Sequence, residues 1–448
     1  MSDEDSKLST GRFARLAKLA KMSARLSTDV VSRGVNRLRG NDDESILGAG
    51  AAEKLVATLG DLKGLAMKIG QQVSMDPDLL TPEVRAVVAR LQNQAPPMPY
   101  ARVREVITSQ LGKPPEEAYA WFDEKPLASA SLGQVHKART HEGDEVAVKV
   151  QYPDIADALR SDLDNLGAMV SVLATTTRMG HGKAYYAELR ESMMDELDYR
   201  LEAKRGIQFA QAAAGLADVV VPKSFAALTS EKVLTLELLH GPTLKEFIHH
   251  LDQKSNDERF AASRSIMRAI WGPLLLSGTI HSDPHPGNFL LLPGGKVGVL
   301  DFGAIKQMSH RWLDVNRRLF TSVVKQQSFD CIQLSLDSGF QFDDPPNARD
   351  FVQTVIEIAT RPPRTRDFDF AQSGLSRDMR NHFLKNATKL TGIKPPKESV
   401  NFYRAVGGLS QNLENLKARG DFKAVYEEML DLIPKTPSPL GPLGRGSG

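Results

Sequence analysis

The residues best suited to chemistry lie between positions 281 and 303. His281-Ser282-Asp283-Pro284-His285-Pro286-Gly287-Asn288 leads into the apolar run Phe289 to Leu292, the turn Pro293-Gly294-Gly295, a second run Lys296 to Leu300, and then Asp301-Phe302-Gly303. Two short runs around a Pro-Gly-Gly turn predict a hairpin, which brings Asn288 and Asp301 together at its open end. An amide oxygen and a carboxylate oxygen at one place are hard donors of the kind Mg²⁺ takes. An ion held there offsets the charge that gathers on the oxygens of a transferring phosphoryl group. Asp283 is then the candidate to orient or deprotonate an acceptor. In a rival reading His281, Asp283 and His285, at alternate positions of an extended chain, hold a hydrolytic metal. That reading is the weaker, because the other parts of a phosphoryl-transfer site lie upstream.

An acid, an Asn five residues later, a hairpin and then Asp-Phe-Gly is the order found in protein kinases. Upstream, Lys149 sits in the apolar strand Val146-Ala147-Val148-Lys149-Val150, where a buried ammonium needs anionic company. The α- and β-phosphates of a nucleotide and a helix Glu would supply it. Among Glu188, Glu191, Glu196, Asp198 and Glu202, a helical wheel puts Glu196 within about 60° of Leu189 and Met193 and turns Glu191, Asp198 and Glu202 away. Glu196 is therefore the expected partner. Ahead of the lysine strand, where a kinase has its glycine loop, stand Ala128, Ser129, Ala130 and Ser131. Their Cβ atoms limit how closely backbone approaches phosphate, so the nucleotide must be cradled differently. Glu237 to Leu239 is the candidate hinge where adenine would meet backbone.

These residues need a scaffold of two kinds. Phe122 to Val150 reads as three strands, with shorter ones at Val219-Val220-Val221 and at Val233 to Glu237. Helical periodicity runs from about Asp154 to Ala214, and the remainder is mostly helix apart from the hairpin at 289–300. Strands early and helices late indicate an α+β body of two lobes. With 448 residues, 41% hydrophobic, such a body can bury more than one core. The 57 basic against 55 acidic residues, net +2, give no overall field for nucleic acid. A single cysteine, Cys331, excludes internal disulfides and thiolate zinc sites and suits a reducing cytosol. No apolar run reaches the roughly 18 residues of a spanning helix, and the acidic Met1 to Asp5 does not resemble a leader. A cytoplasmic protein is expected. The organisation reads as a basic amphipathic segment at 1–45, a helical extension at 46–115, an N-lobe at 116–240, a mostly helical C-lobe at 241–433 and a Pro/Gly-rich flexible tail at 434–448.

Taken together, these residues resemble the UbiB/AarF family of atypical kinases. The resemblance rests on Lys68-Ile69-Gly70-Gln71, matching a Lys-x-Gly-Gln element, on Ala128 to Ser131 with Gln134-Val135-His136, on Glu196-Leu197-Asp198, matching a Glu-x-Asp element, and above all on His281-x-Asp283-Pro284-His285-Pro286-Gly287-Asn288. It implies a bilobal kinase-like fold whose N-terminal helical extension, carrying Lys68 and Gln71 and joined by Asp198, covers the cleft where a protein substrate would dock. It also implies binding of ATP with Mg²⁺, hydrolysis or phosphoryl transfer, and a role with isoprenoid quinone or a lipid intermediate at a membrane. The alternatives are a pseudokinase-like module that uses nucleotide only to change shape, and a lipid chaperone. UbiB proteins often end in transmembrane helices; this chain ends in a Pro/Gly tail.

Membrane contact would then fall to an exposed apolar patch or to residues 11–39, which carry eight bases against the single acid Asp29 and can form an imperfect amphipathic helix with Phe13, Leu16 and Val31 on its apolar side. Each base near an anionic leaflet contributes about 1 kcal/mol, adequate for reversible binding only. The chain is expected to float with anionic vesicles at low salt, and to lose that association at high salt or on deletion of residues 1–45. Flotation unchanged by the deletion would place the contact elsewhere.

Overall fold

The structure, a computed structural model, describes residues 97–433 apart from 131, 162, 165–166, 168–189, 192 and 391. The basic segment at 1–45, Lys68 and Gln71, Ser131 and the residues 434–448 lie outside the described residues. Among those described, residues 97–203 and 224–238 form one compact unit and residues 204–223 and 239–433 a second. The fold is α+β, as expected.

The first unit is built on an antiparallel sheet in the order β1-β2-β3-β5, with β1 at Trp121–Ser129, β2 at Gly133–Arg139, β3 at Glu145–Gln151 and β5 at Val233–Glu237. Successive side chains of a strand point to opposite faces, and in β3 this separates Val146, Val148 and Val150, all fully buried, from Ala147 and Lys149. The valine face packs with Val103 and Ile107 of helix α1 (Tyr100–Leu111) and with Tyr119. Residues 97–115, read as extension, thus share the sheet's core. Gly133 lies so close to β3 that a Cβ there would meet the Val150 carbonyl oxygen at 2.1 Å, which is why this position of the Ala/Ser-rich turn is glycine.

Helix α2 (Tyr199–Ala212) does not continue the helix before it. The chain leaves helical conformation over Glu196 to Asp198 and restarts at Tyr199. Asp198 starts it: its Oδ1 accepts from the Arg200 N–H at 3.0 Å, satisfying one open donor of the first turn. Arg200 also bonds both Asp198 oxygens (2.9 and 3.0 Å) and holds that carboxyl below the usual carboxylate range.

In the second unit, helix α3 (Asn256–Ser277) begins with a capping box between Ser255 and Glu258 and ends at Gly278 in the left-handed region, φ 77°. That turn feeds β6 (Thr279–His281), which pairs with β9 (Ile305–Gln307). The expected hairpin forms from β7 (Phe289–Leu292) and β8 (Lys296–Val299), with β4 (Val219–Val220) parallel to β8. The sequence reading missed β6 and β9, since three residues are too short to show alternation. Helices α4 (His310–Val324) and α5 (Glu398–Leu416) follow, α5 packing on α3 and β6. No helix among the described residues is long and apolar enough to cross a membrane.

One polar network lies within the first unit's core. Gln134 accepts from the Met98 N–H (2.8 Å), and its Nε2 reaches the Met98 carbonyl (3.3 Å) and His136 Nε2 (2.8 Å). His136 Nδ1 lies 2.7 Å from the Asp123 carbonyl, an acceptor, so the proton sits on Nδ1 and Nε2 accepts from Gln134. Complete burial pushes the His136 pKa down despite the Asp123 carbonyl. With the folded value below the unfolded ~6.5, its contribution is fully present above that pH and is lost as pH falls toward the folded value, because the unfolded chain then binds the extra proton. Urea titrations at pH 7.5 and 5.5 should show wild type losing more stability on acidification than His136→Gln; equal losses would exclude this imidazole as the cause.

Candidate active site

In the first unit, Lys149 projects from the face of β3 opposite the valines, and its Nζ lies 2.5 Å from Glu202 Oε1. The side chains are 14% and 9% exposed. Glu202, which the helical wheel turned away, is thus a partner of Lys149. The wheel that favoured Glu196 assumed one continuous helix, whereas the break over Glu196 to Asp198 resets the phase and turns Glu202, in the first turn of α2, to the lysine. Glu196 itself stands in the turn, half-buried. The one sign of the reset in the sequence is Asp198, a residue type that starts helices. Ala128 and Ser129 end β1, opposite Val135 and Gln134, with register irregularities before them, and the Ala130 N–H donates to the Gly133 carbonyl at 2.9 Å. Glu237 ends β5, and the Leu238 N–H donates to the Glu145 carbonyl at 2.9 Å. Leu239 opens the second segment of the second unit.

In the second unit, the hairpin register sets Phe289 opposite Val299, and the Leu300 N–H donates to the Asn288 carbonyl at 2.9 Å. The two candidate metal ligands therefore flank one hydrogen-bonded rung. Asn288 Nδ2 donates to the Asp283 carbonyl at 3.1 Å, which fixes the amide and leaves Oδ1 as its ligand oxygen. Asp301 Oδ1 accepts from the Gly303 N–H at 2.9 Å, and a carboxylate retains further lone pairs after one such bond. Two fixed hard oxygens fit Mg²⁺, which is ordinarily held by one or two protein ligands together with phosphates and water.

His281 joins the acids. It is fully buried, and Nε2 lies 2.8 Å from the Asp301 carbonyl while Nδ1 accepts from the Asp283 N–H at 3.3 Å. A carbonyl can only accept, so the ring is the Nε2–H tautomer, and both nitrogens are engaged by backbone. Burial drives its pKa down although Asp301 and Asp283 pull the other way, which keeps it neutral. His285 Nδ1 accepts from the Gly287 N–H at 3.1 Å. The rival three-ligand metal is not built: no group of three His, Cys, Asp or Glu that could hold an ion occurs among the described residues.

Sequence reasoning also missed the later turns of α2. Arg205 Nη1 donates to the Gly303 carbonyl at 2.9 Å. Gly206 lies against Phe302, where a Cβ would come within 3.1 Å of the ring. Phe209 packs on both Phe302 and His281, with centroids 5.9 and 6.0 Å away. Only folding reveals these contacts, since each partner is remote in sequence.

The model of the ABC1 atypical kinase-like domain matches residues 90–335, more than half of the chain. Among curated relatives, the mitochondrial atypical kinase coq-8 of Caenorhabditis elegans is 28% identical over 387 residues, covering 84% of this chain and 50% of that protein. The mitochondrial atypical kinase COQ8 of Saccharomyces cerevisiae is 25% identical over 417 residues, 91% of this chain and 82% of the yeast protein. The chain thus spans half the length of the nematode relative. Among solved structures, Rv3197 of Mycobacterium tuberculosis in complex with erythromycin aligns with a TM-score of 0.60 at 30% identity, covering 85% of this chain and 96% of that one.

Removing one partner of a buried ion pair strands the other charge, at a cost of about 3–5 kcal/mol. Glu202→Ala should therefore destabilise the protein by that order in urea unfolding. In double-mutant cycles with Lys149→Met, the coupling should be larger for Glu202 than for Glu196. A larger coupling for Glu196 would restore the helical-wheel assignment.

Proposed function

The chain belongs to the ABC1 atypical kinase-like family, and on that premise we propose that it is an enzyme that binds ATP with Mg²⁺ and hydrolyses it or transfers its phosphoryl group. The observation that carries this reading is the Asn288–Leu300 rung that sets Asn288 beside Asp301, tied through His281 to the backbone of Asp283. Asn288 and Asp301 would hold Mg²⁺, which when bound offsets charge on the phosphate oxygens. Lys149, oriented by Glu202, takes the α- and β-phosphates as a fixed cation. Asp283 accepts or directs the proton of the attacking hydroxyl or water. The His281 imidazole stays neutral and holds the Asp283 N–H, so that the carboxylate starts each cycle from one position. Ala128 to Ser131 and Glu237 to Leu239 are the backbone segments for phosphate and adenine.

Support for a role in isoprenoid quinone or lipid metabolism comes from the named relatives, and in this reading residues 11–39 bring the enzyme to an anionic membrane face. Lys68, Gln71 and Asp198 belong to the covering of the cleft. The acceptor is then water or a lipid intermediate rather than a protein side chain.

Mg-ATP that binds only the native state must raise its stability, by about 2.7 kcal/mol at a hundredfold excess over Kd. A thermal-shift experiment should show this for wild type and not for Asp301→Asn. Asp283→Asn should keep the shift and lose phosphate release by about 10²–10⁴-fold, measured with and without anionic liposomes. Equal stabilisation of wild type and Asp301→Asn would sink the metal assignment. Nucleotide binding without turnover under every lipid condition would leave a binding module.

A further inference from the structure

We propose that Asn412, on α5, is a positioning residue for Asp283, and that the helical region beyond residue 335 is thereby part of the catalytic apparatus; this rests on the role given to Asp283 above. Asn412 is a polar side chain only 1% exposed, and its Nδ2 donates to the Pro284 carbonyl at 2.7 Å. It stands among Leu409, Leu413 and Leu416, which are 2%, 3% and 0% exposed, on a helix that packs on β6, the strand leading into the loop. The matched family region ends at residue 335, so the donor comes from outside it.

The loop has reason to need such a brace. Pro284 and Pro286 lack N–H groups, so the segment from Asp283 to Pro286 has only half the usual backbone donors with which to hold itself. Its other supports include His281 on the Asp283 N–H, Asn288 on the Asp283 carbonyl at 3.1 Å, His285 on the Gly287 N–H at 3.1 Å, and the Asn288 N–H on the His285 carbonyl at 2.9 Å. These are local to the loop. Asn412 ties a loop carbonyl, that of buried Pro284, to a helix far along the chain. Two successive carbonyls, of Asp283 and Pro284, are thus clamped by two amides, one from within the loop and one from a distant helix, which limits rotation of the peptide units that carry the Asp283 side chain. A neutral amide suits this place, because it donates without bringing a net charge into an apolar surround.

Full-length wild type, Asn412→Leu and Asn412→Asp decide the matter. Leucine nearly preserves volume and deletes the donor. Outer contacts that orient a reacting group typically contribute about 10–100-fold, so Asn412→Leu should lower kcat for phosphate release by that factor while the Mg-ATP thermal shift stays at the wild-type value. Amide exchange in the peptide spanning residues 281–289 should speed up relative to the rest of the protein. In Asn412→Asp the protonated carboxyl can donate where the carboxylate cannot, so its activity relative to wild type should recover as pH falls, whereas the ratio for Asn412→Leu stays flat. An active wild type with an unchanged kcat in Asn412→Leu would overturn the inference, as would parallel loss of kcat and of nucleotide stabilisation. A wild type that never releases phosphate would instead defeat the enzymatic reading above. In that event the exchange rate of residues 281–289 decides the brace, and an unchanged rate overturns it.

Discussion

A neutral, fully buried imidazole ties together the groups on which the proposed chemistry depends. His281 donates to the carbonyl of Asp301 and accepts from the N–H of Asp283, so a single side chain sets the backbone of the candidate metal ligand and of the candidate proton acceptor. The arrangement works only while the ring is uncharged, since an imidazolium would point a second N–H at the Asp283 donor. Burial among Phe209, Phe289 and β6 enforces that state. The surrounding aromatic packing is thus an electrostatic device as well as a source of hydrophobic stability.

Helix α2 is used twice along its length. Its first turn gives Glu202 to Lys149, and its later turns give Arg205, Gly206 and Phe209 to the segment Asp301 to Gly303 and to His281. Gly206 is the narrow point: any side chain would press on Phe302, so the absence of a Cβ lets the helix lie on the ring. Asp198 fixes the start of α2 through its bond to the Arg200 N–H.

Polar groups inside both units follow one rule. Gln134 and His136 around Met98, and Asn288 and Asn412 around Asp283 and Pro284, are side-chain amides and imidazoles bonded to backbone where the chain is irregular and its own ladders cannot reach. Prolines lie at both places, in Pro97-Met98-Pro99 and in Asp283-Pro284-His285-Pro286. Proline removes donors and stiffens the chain, and the amides restore the missing restraint.

The sequence alone determined the α+β character, the sheet strands β1, β2, β3 and β5, the hairpin, and the grouping of Asn288 with Asp301. Each of these is a local or short-range matter of period, turn residues and spacing. It also determined that Lys149 needs an anionic partner, because an ammonium in an apolar strand leaves no choice. That Glu202 meets it depended on a helix break over Glu196 to Asp198 that contains neither Gly nor Pro, and a periodic reading passes straight over such a break. Residues 97–115 joining the sheet's core, the short pair β6 and β9, the neutral tautomer of His281, and the reach of Asn412 to Pro284 were likewise decided by tertiary structure. In each case the partner lies too far along the chain, or the element is too short, for spacing to carry the signal, and only packing selects which distant donor meets which acceptor.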